Sequence, residues 1–291
     1  MSVSEVTPEF LRQTPLPDPE EGDKQARGNV LVIAGGLQVP GAALLAGTAA
    51  LRAGAGRLQI ATGGRNALAI ATAIPEALVL GLAETKQGGI DPGAIDQLAP
   101  YLKRADAVLI GPGLADENAI EALMSEVLRT TAPELPIVID ARAIKAFRGL
   151  CRDRGQTVLT PHAGEMAGLF GVERREVEAD PAAVAPRAAQ RYQAVVALKG
   201  ATTFISSAEG RVVVCRKGNV GLATSGSGDV LAGVIAGLLA RGTPAFAAVC
   251  WGVYLHAKAG DRLSQTVGPL GFLARELLPE VPRIMADLSQ A

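Results

Sequence analysis

Residues 217–229 read KGNVGLATSGSGD and lead directly into an apolar run at residues 230–240. The glycine-rich part can turn sharply and aim several backbone N–H groups at one point. The apolar run has the composition of a buried helix. The pattern therefore predicts a glycine-rich loop that opens a helix, with Asp229 as the first helical residue.

Such a loop has a chemical consequence at its junction with the helix. Free N–H groups and the positive end of a helix dipole attract phosphate. An aspartate at that end stays ionised at neutral pH and can accept a proton from a hydroxyl group. Together they suit phosphoryl transfer to an alcohol. Aspartate is also a common N-cap, so Gly228-Asp229 read alone more often marks a capped helix.

Around this stretch, short apolar segments alternate with helical ones rich in alanine and leucine. Strands are predicted at 29–34, 57–62, 107–110, 137–140, 157–160 and 194–198, and helices at 41–53, 229–241 and 246–263, the last two closing the chain. Segments 203–206 and 211–215 predict an antiparallel hairpin at one sheet edge. The expected fold is α/β, a mainly parallel central sheet with helices on both faces. We expect a single domain spanning residues 1–291, with residues 1–25 as a polar N-terminal extension.

Composition excludes several classes of protein. The net charge is -1 and only 3% of residues are aromatic, which argues against nucleic-acid binding. The longest apolar run is too short to span a bilayer, and no secretory signal precedes the first strand. The three cysteines have no paired spacing, which fits a reducing compartment. The sequence therefore predicts a cytoplasmic protein that binds neither nucleic acid nor membrane.

Four predicted strands end in turn or polar residues, and in such sheets ligands bind beyond the carboxyl ends of the strands. These ends carry Gly111-Pro112-Gly113, Asp140, the sequence TPHAGE at 160–165 and the sequence KGATT at 199–203. We interpret His162 as a substrate contact rather than a turn cap. Glu165 either touches a magnesium-bound water or occupies a first helical turn, and Lys199 either reaches a phosphate or closes a strand. His256, on an apolar helix, is interpreted as a satisfied, partly buried histidine.

Taken in order, these motifs resemble the ADP/ATP-dependent NAD(P)H-hydrate dehydratase family of the ribokinase-like superfamily. The resemblance runs from about Gly28 to the C-terminus. It is carried by PGAALLAG at 40–47, LRAGAG at 51–56, IGPGL at 110–114, LTPHAGE at 159–165, LKGA at 198–201, and GN at 218–219 with SGSGD at 225–229. The last motif marks only the superfamily, whereas the whole set is specific to the family.

The resemblance implies a reaction in which the stray ring hydroxyl of hydrated NADH or NADPH is phosphorylated. Phosphate then leaves and the dihydronicotinamide returns, with Mg²⁺ neutralising the phosphates of ADP or ATP. Asp229 would be the base toward the ring hydroxyl. The implied anion hole comprises Gly226, Ser227 and Gly228. The implied nucleotide site comprises Lys199, Gly200, Ala201, Thr202, Thr203 and Gly228. The implied hydrated-dinucleotide site comprises Ala42, Gly113, His162 and Asp229. Glu165 is the candidate magnesium contact, directly or through water.

The sequence departs from the family pattern at two positions. Many relatives carry a second aspartate two residues after Asp140, where this chain has Arg142, and Ala163 replaces a proline. The resemblance also implies a separate epimerase acting on the same metabolite, and we expect a homo-oligomer. Two alternatives stay open: a small-alcohol or vitamin-precursor kinase of the same superfamily, and a non-catalytic nucleotide-binding regulator. The segments TPHAGE and PGAALLAG favour the dehydratase, and the presence of Asp229 argues against the regulator.

Overall fold

A computed structural model describes residues 3–17, 26–150 and 156–290. The described strands are β1 (Ser4–Glu5), β2 (Asn29–Ile33), β3 (Arg57–Gly63), β4 (Ala77–Leu82), β5 (Ala107–Ile110), β6 (Ile137–Ile139), β7 (Thr157–Leu159), β8 (Ala194–Leu198), β9 (Thr203–Ser206) and β10 (Val212–Cys215). They form one ten-stranded sheet in the order β1-β10-β9-β8-β7-β6-β5-β2-β3-β4. Neighbours from β8 to β4 pair in parallel, whereas β9 pairs antiparallel with both β8 and β10. The predicted parallel sheet with an antiparallel edge pair is confirmed.

Helices cover both faces of this sheet. Within the described residues they are α1 (Pro8–Arg12), α2 (Gly41–Arg52), α3 (Gly64–Ala73), α4 (Ile95–Leu102), α5 (Glu117–Thr130), α6 (Arg142–Ala146), α7 (Ala163–Phe170), α8 (Arg174–Ala179), α9 (Pro181–Tyr192), α10 (Ser227–Ala240), α11 (Ala245–Thr266) and α12 (Ala274–Gln290). One face of the sheet packs against α2, α10, α11 and α12, and the other against α4, α5, α7 and α9.

The central strands are apolar throughout because each contributes to two cores. In β2, Val30 and Val32 face one core, while Leu31 and Ile33 face the other. Successive side chains of a strand point to opposite faces, so a sheet covered on both sides needs apolar residues at every position. This arrangement explains the unbroken apolar runs from which the strands were predicted.

The helix that follows the glycine-rich loop is held unusually close to α2. A Cβ at Gly233 would overlap the carbonyl oxygen of Ala46, and one at Gly237 would overlap that of Ala50. Two glycines four residues apart lie on one side of a helix, so the two backbones can touch along that side. Residues 230–240 are buried at every position. The close packing fixes the position of α10 relative to α2.

Several elements differ from those predicted. The helix α10 begins at Ser227, which places Asp229 in its third position rather than its first. The sheet gains β4 at its edge, a strand that the sequence did not predict. The chain does not close on two helices, because α12 follows α11. It contains Pro279 and Pro282, residues that usually end a helix.

Part of the predicted N-terminal extension belongs to the fold. The strand β1 pairs in parallel with β10, and Val6 and Leu11 are completely buried. The indole of Trp251 on α11 donates a hydrogen bond to the carbonyl oxygen of Thr14, at 2.8 Å. Residues 3–17 are therefore packed against the domain, while residues 18–25 lie outside the described part of the chain.

Two of the three cysteines lie in the described residues. Cys215 and Cys250 are free and buried, and burial raises the pKa of both thiols, that of Cys250 to about 12. Cys151 falls outside the described residues. Among the helices that the structure describes, none combines the length and apolar character needed to cross a membrane.

Candidate active site

The polar residues predicted at strand ends meet at the carboxyl ends of β6, β7 and β8. Asp140 follows β6, Thr160 follows β7 and Lys199 follows β8. The hydroxyl of Thr160 donates to Asp140 Oδ1 at 2.7 Å, and Lys199 Nζ lies 3.2 Å from the same oxygen. The backbone N–H of Lys199 donates to the carbonyl of Pro161 at 2.8 Å, joining the two loops. These contacts bring three predicted strand ends into one cluster.

Lys199 connects this cluster to the start of α10. Its Nζ lies 3.8 Å from Glu165 Oε2 and 3.4 Å from the position that a Cβ would occupy at Gly228. Burial lowers the pKa of Lys199, but Asp140 and Glu165 outweigh it, so the pKa is raised overall. The ammonium group therefore stays charged beside the first turn of the helix. Lys199 is thus not merely the end of a strand.

The first turn of α10 has no side-chain cap. Its N-cap is Gly226, with φ 85°, and a Cβ there would overlap Leu45 Cδ1. Within the described residues, the backbone N–H groups of Gly228 and Asp229 have no acceptor. Helix N-termini in this state bind anions, because free donors and the helix dipole act together. Of the predicted anion-hole residues, Gly228 offers a free N–H within the described residues, whereas the N–H of Ser227 donates to the carbonyl of Thr224 at 3.2 Å.

Asp229 lies in this turn and accepts no hydrogen bond from the described residues. The expectation that Asp229 is the first helical residue is wrong, and the alternative that it is the N-cap is also wrong, because the N-cap is Gly226. Burial, then the nearby charge of Asp140 and of Glu165, raise the pKa of Asp229 to about 6, while Lys199 opposes the shift. A carboxylate with a pKa near the working pH, free of other partners, has the properties of a general base.

His162 and Glu165 cap the helix α7. His162 is the N-cap, and its Nδ1 accepts from the N–H groups of Gly164 and Glu165 at 3.0 and 3.1 Å. Glu165 Oε2 accepts in return from the N–H of His162 at 2.8 Å, which completes a capping box. The capping role that we set aside for His162 is therefore present. The imidazole remains 57% exposed, so its other edge is accessible.

A contact that the sequence did not indicate joins α11 to this site. His256 Nε2 lies 2.8 Å from Ser227 Oγ, at the first residue of α10. Burial lowers the pKa of His256 to about 4, so the imidazole is neutral at physiological pH. The interpretation of His256 as a satisfied, partly buried histidine is confirmed. Its partner, however, is one of the predicted anion-hole residues.

Ala42 and Gly113, predicted to bind the dinucleotide, are neighbours. Gly113 has φ 70°, and a Cβ at this glycine would lie 2.8 Å from that of Ala42. Ala42 stands one turn before Leu45, whose side chain contacts Gly226. The first turn of α2 therefore connects this pair to the open end of α10.

The remaining predicted residues lie at the rim. Gly200 and Ala201 are exposed, whereas Thr202 and Thr203 are half-buried where β9 begins. Arg142, which stands where relatives often have aspartate, is exposed and lies 3.8 Å from Glu117. This distance is consistent with a solvated surface charge. Arg142 does not contact the Asp140 cluster.

The donor set bears on whether Mg²⁺ fits this site. In the described part of the chain, no group of three or more His, Cys, Asp or Glu side chains would hold a metal ion. Magnesium in phosphoryl-transfer sites is usually bound by one or two carboxylates with phosphates and water. Asp229 has no hydrogen-bond partner among the residues that the structure describes, and Glu165 is close enough to perturb the pKa of Asp229. The residues therefore fit a magnesium ion carried largely by a nucleotide.

The fold matches a known class of proteins. A solved ribokinase-like superfamily protein from Enterococcus faecalis superposes with a TM-score of 0.86 and 28% identity, covering 99% of this chain and 97% of the other. This chain has the same ribokinase-like fold. It belongs to the NAD(P)H-hydrate dehydratase family, whose model matches residues 30–283.

Individual relatives are similar over nearly the whole chain. One from Xanthomonas campestris, named an ADP-dependent (S)-NAD(P)H-hydrate dehydratase, is 49% identical over 98% of this chain and 97% of its own. The structure of an ADP/ATP-dependent NAD(P)H-hydrate dehydratase from Bacillus subtilis, co-crystallised with ATP and Mg²⁺, has a TM-score of 0.83 and 31% identity, covering 99% of both chains. The chain spans about half the length of other matching relatives, which are named bifunctional NAD(P)H-hydrate repair enzymes.

Proposed function

We propose that this chain dehydrates hydrated NADH or NADPH, using an adenine nucleotide as phosphoryl donor, and restores the dihydronicotinamide. The observation that carries the proposal is the uncapped start of α10, with the unpartnered carboxylate of Asp229 and the ammonium of Lys199 beside it. Family membership supplies the substrate class. ADP is the proposed donor because the Xanthomonas relative is named ADP-dependent.

In this proposal each part of the site has a distinct role. Asp229 accepts the proton of the ring hydroxyl as the phosphoryl group is transferred to the hydroxyl oxygen. The N–H groups of Gly228 and Asp229 hold the transferred phosphate, with Lys199 beside them. The C–O bond to phosphate then breaks, the adjacent ring carbon loses a proton, and the ring double bond reforms with release of orthophosphate. Mg²⁺, when bound, neutralises the nucleotide phosphates, with Glu165 as its proposed contact, directly or through water.

Two binding regions flank this centre. We assign the adenine nucleotide to Lys199, Gly200, Ala201, Thr202, Thr203 and Gly228. We assign the hydrated dinucleotide to Ala42, Gly113, His162 and Asp229. The contact between Leu45 and Gly226 supports this division, because it joins the α2 side of the site to the anion hole.

The wider setting is also proposed. We infer a single domain, since all described strands form one sheet, and a cytoplasmic location, which the free thiols of Cys215 and Cys250 support. We further propose that a separate epimerase acts on the same metabolite and that the chain forms a homo-oligomer. Leu68 and Leu78, which are 79% and 47% exposed beside the edge strand β4, support an apolar contact between copies.

A coupled assay tests the reaction. The purified protein is incubated with hydrated NADH, Mg²⁺ and either ADP or ATP, and the absorbance of the dihydronicotinamide is followed together with orthophosphate. We expect restored NADH and released phosphate in equal amounts, with faster turnover for ADP. A stable phosphorylated alcohol with no free phosphate would instead identify a small-alcohol kinase.

A further inference from the structure

The open start of α10 raises a physical problem. Helix ends fray, and a glycine N-cap offers no side chain to hold the N–H groups of the first turn. Gly226 supplies no capping side chain, and Asp229 accepts no hydrogen bond from the described residues. A frayed turn would aim its N–H groups poorly. Some other contact must hold the turn in place.

The hydrogen bond between Ser227 and His256 holds the first turn of α10 against the neighbouring helix α11. Ser227 Oγ and His256 Nε2 are 2.8 Å apart, and Ser227 is only 4% exposed. The bond fixes the first residue of α10 to the neighbouring helix without occupying the N–H groups of Gly228 and Asp229. The imidazole is neutral, so the bond adds no charge that would compete for the anion.

The same side of α11 also supports the rest of the glycine-rich loop. Asp261 accepts from the backbone N–H of Gly218 at 3.4 Å and from the side-chain amide of Asn219 at 3.3 Å. A Cβ at Gly260 would lie 2.6 Å from Leu222, so only glycine permits this close packing. His256 and Gly260 are four residues apart and share one face of the helix. Helix α11 therefore holds the loop at its start, its middle and its end.

We propose that His256 is a positioning residue, whose hydrogen bond to Ser227 holds the uncapped first turn of α10 so that its free N–H groups stay aimed at the transferred phosphate. The inference rests on the proposed function for the identity of that phosphate. We assign His256 no contact with either the nucleotide or the dinucleotide. Its contribution should therefore act entirely through Ser227.

Two variants remove the bond from opposite sides. We expect His256→Ala and Ser227→Ala each to lower kcat and to weaken binding of Mg·ADP by about tenfold, the worth of one hydrogen bond of this kind. Because both remove the same contact, the double variant should lose little more than either single one. His256→Gln, which keeps a polar group at this position, should recover part of the loss. Affinity for the hydrated dinucleotide should change less than about twofold, since one hydrogen bond at the anion hole is affected.

A matched control separates positioning from stability. Trp251→Phe removes a hydrogen bond of the same length from the same helix, but at Thr14, away from α10. It should lower Tm without changing kcat at 25 °C. Parental kcat and Mg·ADP affinity in both His256→Ala and Ser227→Ala, or additive losses in the double variant, would overturn the proposal. Mg·ADP binding is measured by calorimetry, so it reports on His256 even if the parent protein does not turn over hydrated NADH.

Discussion

The first turns of α7 and α10 have similar sequences, but the backbone N–H groups of the first turn are capped in α7 and uncapped in α10. Ala163-Gly164-Glu165 opens α7, and Ser227-Gly228-Asp229 opens α10, so each has glycine and then an acid in its first turn. In α7 the side chains of His162 and Glu165 occupy the free backbone donors. In α10 the donors and the carboxylate of Asp229 have no partner within the described chain.

The residue before each helix accounts for the difference. His162 has extended backbone, with φ −84° and ψ 172°, which lets its side chain turn back onto the helix. Gly226 has φ 85°, a conformation that only glycine adopts readily, and it has no side chain to turn back. A closed helix start is a structural element, whereas an open one retains its capacity to bind an anion. The same local pattern thus serves structure in one place and chemistry in the other.

The largest expected effect comes from replacing the acid of α10. Asp229→Asn keeps the shape but removes the base, so turnover should fall by roughly 10²–10⁴-fold. Glu165→Gln is the matched change in α7, where glutamine still completes a capping box. We expect it to lower turnover far less and to raise the Mg²⁺ concentration needed for half-maximal rate. Comparable turnover for Asp229→Asn and the parent would remove Asp229 from the chemistry.

The Asp229 variant also has an expected effect on stability. Burial raises the pKa of Asp229 from 3.8 to about 6, so ionising it disfavours the folded state. This penalty is fully present above about pH 6 and disappears as pH falls below 3.8. Asp229→Asn should therefore be more stable than the parent at pH 7.5, by on the order of 1–2 kcal/mol. Thermal melting at pH 7.5 and pH 4.5 checks this, because the advantage should shrink at the lower pH.

A smaller effect is expected from the residue that keeps α10 open. Gly226→Ala places a side chain at positive φ, where it also overlaps Leu45. The first turn must shift, and we expect turnover to fall by about tenfold to a hundredfold because the donors are then misaimed. Gly171→Ala is the control, since Gly171 has φ 73° at the far end of α7. It should cost about 1–2 kcal/mol of stability, with turnover unchanged. Equal turnover in the two variants would show that the conformation of Gly226 is unimportant for catalysis.

The sequence predicted the sheet well because its central strands are buried on both faces. The strands β2, β5 and β8 coincide with predicted segments within one residue, and parallel strand ends must meet at one edge of the sheet. The strand β4 has a half-exposed, less regular burial pattern, and Pro279 and Pro282 in α12 read as helix breakers. Those elements depend on packing against the rest of the fold.

The sequence did not predict whether the start of each helix is capped, and the reason is different. Ser227 and His256 are 29 residues apart, and Asp140 and Lys199 are 59 apart, so only the folded chain brings them together. The capping box of α7 is local, with two residues between its partners, and a Ser/Thr-x-x-Glu pattern would have identified it. Histidine in the capping position weakened this signal, and the capping role of His162 was set aside in favour of a substrate contact.

The smallest expected effect concerns His162, the N-cap of α7. Its variants distinguish helix capping from binding of the hydrated dinucleotide. His162→Ala removes the acceptor of two backbone N–H groups and should cost about 0.5–2 kcal/mol of stability. His162→Asn restores an N-cap of the preferred type, so its Tm should return close to that of the parent.

The exposed edge of the imidazole is lost in both variants. If it contacts the hydrated dinucleotide, both should bind that ligand about three- to tenfold more weakly, the worth of one hydrogen bond, with ADP affinity unchanged. Calorimetry with each ligand, beside thermal melting, distinguishes the roles. Full recovery of dinucleotide affinity in His162→Asn would leave His162 with capping alone, and both helix starts would then differ in their use as well as in their structure.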